Sequence, residues 1–117
     1  MPQIDQDLEI YTNADEIFTI AVTDTSTTPI DLTTFDSLCW TLSKGGTVVV
    51  NYTSTDAELT TASVDGTDDG LRVNLSPTVT GALDIGRLYI HQAWGTYGGR
   101  ERPLCVGYVT VNRGDGC

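Results

Sequence analysis

Basic residues are scarce in this chain: six Lys and Arg stand against sixteen Asp and Glu, with one histidine, for a formal net charge of −10 over 117 residues. So acidic a surface repels phosphate backbones and anionic lipid, which argues against nucleic acid and membrane as partners. Arg100 and Arg102 are too sparse to form a basic patch. The plain consequence of the acidity is solubility; a basic partner surface is the sharper alternative. Long apolar runs are missing too. Nothing approaches the ~20 residues that cross a bilayer. The start, MPQIDQDLEI, has neither a basic region nor an apolar stretch, so no Sec-type signal is expected.

Cysteine is also thin. Cys39, Cys105 and Cys117 form an odd set without the close pairs of zinc or redox sites, which suggests a reducing compartment and a free thiol at Cys117. A hydrolytic triad needs a base, and the one histidine, His91, lies mid-strand between Ile90 and Gln92, where a structural or surface role is expected. It has no second His or paired Cys nearby to make a metal site. The acidic turn Asp65-Gly66-Thr67-Asp68-Asp69-Gly70 has the carboxylates and glycines of a calcium loop, but Ser76 falls at the twelfth position where a bidentate Glu is required. A solvated turn is the ordinary reading. Carboxylate pairs can be picked from sixteen acids in any order and have no specificity. Gly45-Gly46 and Gly98-Gly99 lead into no helix and are hairpin glycines rather than phosphate loops. Arg113-Gly114-Asp115 matches an adhesion tripeptide that recurs by chance. No catalytic, cofactor or metal residue is therefore assigned, and the chain is expected to be no enzyme.

What is present is strand. Hydrophobic residues make up 39% and charged ones 19%, and Thr and Val are plentiful, which suits pleated, half-buried surfaces. Leu8 and Ile10 alternate, Asn13-Ala14-Asp15 breaks the run, and alternation resumes at Phe18, Ile20 and Val22. After a Thr-rich connection with Pro29, a short anchor is expected at Ile30 and Leu32. Leu38, Trp40 and Leu42 then share one face of a strand and Cys39 and Thr41 the other. Lys44-Gly45-Gly46 turns the chain into TVVVNYT, a short strand is expected within Leu59 to Val64, and Leu71, Val73 and Leu75 alternate in the next. Ser76 and Pro77 fit the N-cap and first position of one helical turn, with Leu83 and Ile85 placed to plug the end of a core.

The last hairpin alternates Leu88, Ile90, Gln92 and Trp94 against Tyr89, His91, Ala93 and Gly95, and aligns Cys105, Gly107, Val109 and Val111 on one face of its second strand. Cys39 and Cys105 fall on opposite faces, so a disulfide between them is not expected. The core is expected to hold Leu38, Trp40, Leu42, Val73, Leu88 and Val109, leaving Tyr89, His91, Tyr97 and Tyr108 as candidate partner contacts. Seven or eight short strands with turn signals roughly every 8 to 12 residues point to a single all-β domain, an antiparallel two-sheet sandwich over residues 7–112; a small barrel or jelly roll is the alternative. Residues 1–6 are expected to form a flexible arm and residues 113–117 a frayed tail.

Several short pieces carry a resemblance. Asp31-Leu32-Thr33 precedes Leu38-Cys39-Trp40-Thr41-Leu42; the Lys44-Gly45-Gly46 hairpin follows, then Leu75-Ser76-Pro77, Gly86 leading into Leu88 and Ile90, and Gly107-Tyr108-Val109-Thr110-Val111. Across residues 7–112 the chain resembles the phage immunoglobulin-like domain of baseplate upper proteins and small stand-alone virion proteins. Gln92 and Trp94 depart from the aliphatic residues such domains often carry in the penultimate strand. The resemblance implies an immunoglobulin-like sandwich and a multi-copy or homo-oligomeric structural protein: a capsid cement or decoration protein, or a neck, tail or baseplate adaptor. It would be assembled in the bacterial cytoplasm, reside in the virion and contact other phage structural proteins without a cofactor. A carbohydrate-binding or adhesion module using exposed rings is the alternative function.

Overall fold

A computed structural model describes residues 7–23, 28–64 and 67–114. The expected arm 1–6, Asp65-Gly66, Asp115 and Cys117 lie outside the described residues. Among the described residues eight strands form: β1 (Leu8–Tyr11), β2 (Glu16–Ala21), β3 (Ser37–Lys44), β4 (Thr47–Thr53), β5 (Leu59–Ala62), β6 (Gly70–Leu75), β7 (Gly86–Tyr97) and β8 (Arg100–Asn112). A short α-helical turn, α1 (Pro77–Gly81), starts where the sequence places it, with Ser76 Oγ accepting the Val79 amide. No described helix is long and apolar enough to cross a membrane.

The strands divide into a five-stranded sheet, ordered β1-β8-β7-β3-β4, and a three-stranded sheet, ordered β2-β6-β5. Every pairing between these strands is antiparallel except β1 with β8, which runs parallel from Leu8↔Val109 to Tyr11↔Asn112. With β2 to β8 read as strands B, C, C′, D, E, F and G, this is the order of a variable-type immunoglobulin sandwich without strand C″, with the first strand carried across to pair with the last. The fold is immunoglobulin-like. Two positive-φ glycines at each hairpin, Gly45 and Gly46, then Gly98 and Gly99, supply the turn whose twist matches the flanking strands.

The core lies between the sheets. Trp40 and Leu42 from β3 meet Ile20 from β2, Leu71 and Val73 from β6, and Val109 and Val111 from β8, all buried. Each large aliphatic side chain so buried contributes roughly 1.5–3 kcal/mol relative to exposure. Trp40 is the hub: its ring lies 5.7 Å from Phe18 edge-on and 6.3 Å from Tyr52 stacked. Leu38, Leu42, Val73 and Val109 join it inside as expected.

The penultimate strand corrects the expected inner face. Leu88, expected in the core, is 47% exposed, whereas Tyr89 and His91, expected at the surface, are 2% and 0% exposed. A single-residue difference in facing inverts every side chain of a strand. The inverted choice is stable because each buried polar tip finds a partner. Tyr89 Oη accepts the Asp84 amide at 2.8 Å, and His91 Nδ1 accepts the Trp40 indole N–H at 3.3 Å. Small residues complete the same face: a Cβ at Gly95 would stand 2.7 Å from the Phe35 ring, so only glycine lets that ring close over the strand.

Three smaller expectations also change. Ile85 is exposed, so Leu83 alone of that pair plugs the core end. Asp69 belongs to no solvated turn; it is buried, and its Oδ1 accepts the Val64 amide at 2.9 Å. The start of the expected frayed tail is held, since the Gly114 amide donates to Thr12 Oγ1 and its carbonyl accepts from Asn13 Nδ2.

Candidate functional site

Strand register arranges the outer face of the five-stranded sheet into cross-strand rows. One row runs Val48, Ser43, Ile90, Tyr108; the next Asn51, Thr41, Gln92, Val106; the third Thr53, Cys39, Trp94, Pro103. None of these side chains carries a formal charge, although the chain has sixteen acids. Ile90 and Tyr108 are 38% and 50% exposed, with Leu88 beside them. Charged groups gather around the rows instead. Arg87 pairs with Asp7 at 3.3 Å and lays its guanidinium 4.6 Å from the Tyr108 ring centroid, and Lys44 pairs with Asp84.

Trp94 forms a ridge in this face. Its indole N–H donates to Gln92 Oε1 at 3.1 Å, which fixes the ring's rotamer. The register shift between Ala93 and Trp94 leaves Leu104 as an extra residue on β8, and both Leu104 and Cys105 are buried there. Beside the bulge lies a hollow of about 180 Å³ between Trp94, Pro103 and Val106. A second hollow of about 230 Å³, bounded by Cys39, Thr53 and Glu101, lies on the other side of the Trp94 ring. An uncharged, ring-bearing surface with fixed relief has the composition of an interface centre, where charged residues are depleted and Trp and Tyr enriched.

The remaining chemistry-bearing groups are built into the framework. His91 packs 6.1 Å from the Trp40 ring, and because an indole nitrogen only donates, His91 Nδ1 is the unprotonated acceptor of the pair. Tyr89 precedes His91 by two residues and bonds back to the main chain at Asp84, the arrangement of a tyrosine corner, so His91 occupies the place of the second cysteine in antibody domains. Cys39 and Cys105 are free thiols on opposite faces. Burial pushes the Cys105 thiol up to about 12; burial, followed by the charge of Glu101, also raises that of Cys39. Among the described residues no group of three His, Cys, Asp or Glu could hold a metal ion.

Of the four candidate contacts, Tyr97 and Tyr108 are exposed, but they do not share one patch with Tyr89 and His91, which are buried. Tyr97 instead meets Phe35 edge-on at 6.4 Å near the Gly98-Gly99 turn. Sequence reasoning missed Ile90, Gln92 and Trp94 as outward groups. The available signal was the Tyr89-Ile90-His91 spacing after Asp84, which marks a tyrosine corner and so fixes the facing of the strand.

No family model matches the chain, and no curated protein matches it. Among solved structures it is similar to the V domain of amphioxus IgVJ-C2, at 16% identity over 90% of this chain and 99% of that one, with a TM-score of 0.32. The assignment of the fold stands on the strand order and register given above.

Proposed function

We propose that this protein is a non-catalytic interaction module whose protein partner packs on the outer face of the five-stranded sheet. The observation that carries this reading is the uncharged surface from Val48 across Ile90 to Tyr108 and from Cys39 across Trp94 to Pro103, in a chain of net charge −10. Solvent-facing sheet positions in so acidic a chain favour charge, and an uncharged apolar patch is the usual mark of contact with another protein. The sequence resemblance supports the specific form of the assembly. The chain serves as a structural component of a phage particle, as capsid cement or decoration or as a neck, tail or baseplate adaptor.

Electron cryo-microscopy of particles assembled with this chain tests both levels. The expected density places the sandwich at symmetry-related positions with Ile90 and Trp94 against a neighbouring protein, and Ile90→Glu leaves those positions empty. Absence of the chain from the particle sinks the virion role; a bound chain whose Ile90 face is solvent-exposed sinks the choice of surface. Binding to a glycan array that disappears in Tyr97→Ala or Tyr108→Ala would replace both with carbohydrate recognition.

A further inference from the structure

The variable-type sandwich carries strands C′ and C″ on the sheet that here ends at β4. In this chain β4 is followed by the turn through Asp56, where the Thr53 amide donates to Asp56 Oδ2 and the Leu59 amide to the Asp56 carbonyl, and the chain enters β5 directly. The C″ place is therefore empty, and β4 pairs with β3 alone among the described strands. An unpaired edge presents a row of main-chain donors and acceptors that can take another strand.

Two hollows lie beneath that edge. One, of about 450 Å³, is apolar and lies between Val50 and Tyr52 of β4 and Val79, Ala82 and Leu83 at α1. The other, of about 410 Å³, shares Tyr52 and Val79 with the first and is bounded by the acids Asp15 and Glu58. No basic side chain lines either one. The negative potential reaches Tyr52, whose phenol is raised first by burial and then by the charges of Glu58 and Asp56. The Asp56 turn takes both main-chain groups of Thr53, its amide donating to Asp56 Oδ2 and its carbonyl accepting the Asp56 amide. The bulge between Leu42 and Ser43 of the partner strand interrupts the start of β4, so the free edge is the short stretch from Val49 to Tyr52.

We infer that the β4 edge is a second binding site, which takes an extended peptide as a substitute C″ strand, with an aliphatic side chain in the apolar hollow and a Lys or Arg at the acidic one. Main-chain bonds to β4 supply affinity, and the two hollows select alternate side chains on one face of the added strand. Because the two hollows abut, the basic residue stands roughly two to four positions from the aliphatic one. This site differs from the outer face on which the proposed function rests, since Tyr52 and Val50 point inward, and the two surfaces meet only at the rim formed by Asn51.

The test uses two synthetic octapeptides, acetyl-TVTVTKTK-amide and its reversal, titrated into the isotopically labelled chain by NMR. One of them is expected to saturate below about 1 mM, with the largest shifts at Tyr52 and Val79. Ala82→Phe, which fills the apolar hollow from its exposed rim, and Glu58→Lys, which reverses the acidic one, are each expected to weaken it about tenfold. The same peptide N-methylated at alternate residues is expected not to bind. Failure of both peptides to saturate, or equal binding of the N-methylated form, overturns the site. Shifts centred on Ile90 and Trp94 would overturn it as well, while leaving the outer-face reading intact.

Discussion

Facing inward from β7 are Tyr89, His91, Ala93 and Gly95; facing outward are Leu88, Ile90, Gln92 and Trp94. By side-chain hydropathy the outer set is the better core. The inner set is nonetheless the buried one, because its two polar tips reach partners, Asp84 N–H for Tyr89 and the Trp40 indole for His91, and its two small residues leave room for Phe35 and the facing sheet. Burying a polar group costs little once it is hydrogen-bonded, whereas an outward apolar row is tolerated or used by a partner. Burial in this strand follows from satisfied geometry, and the apolar outer row is what remains for recognition.

The comparison breaks most severely at Trp40, which donates to His91 and fills the space between the sheets. Trp40→Ala is expected to cost about 3–5 kcal/mol in urea unfolding. A loss below about 1 kcal/mol would mean that the inner face of β7 does not depend on that ring. Tyr89→Phe removes one hydroxyl and leaves the Asp84 amide without its acceptor, for an expected loss of about 1–2 kcal/mol. An unchanged midpoint would take the tyrosine corner out of the account.

The buried cysteine of β8 sharpens the contrast through pH. Its thiol titrates at 9.0 when unfolded and near 12 when folded, so above pH 9.0 the unfolded chain releases this proton first. Stability from this residue is complete below 9.0 and is lost as pH rises toward about 12. Denaturation midpoints compared at pH 8 and pH 10.5 are expected to fall less in Cys105→Ala than in the parent chain. The smallest effect belongs to the outer row: Ile90→Thr is expected to move stability by no more than about 0.5 kcal/mol while abolishing incorporation into the particle. A large stability loss would assign Ile90 to the framework.

Much of this was legible in the residues. The sandwich followed from alternation and turn chemistry, and the helical turn at Ser76-Pro77 from capping alone. Trp40 stood out because its strand alternates cleanly. The facing of the penultimate strand is not legible because both its faces mix rings, amides and aliphatics, so periodicity gives the strand without its facing; only the bonds of Tyr89 and His91, which depend on Asp84 and Trp40 coming close in space, decide it. The burial of Asp69 is hidden for a similar reason, since it depends on the Val64 amide. The uncharged rows are spread over four strands and become one surface only through register.

The parallel pairing of β1 with β8 has a mechanical meaning. Leu8 to Tyr11 lie beside Val109 to Asn112, reinforced by Asp7 accepting the Tyr108 amide and by Thr12 and Gly114 at the far end. Tension applied at the start of β1 and the end of β8 pulls the two strands in opposite senses along their own length. The bonds between them are then loaded together in shear and must rupture as a group, whereas a hairpin pulled at its open end would unzip one bond at a time. A sandwich tethered at both ends of its chain would thus resist extension through a pairing only four residues long.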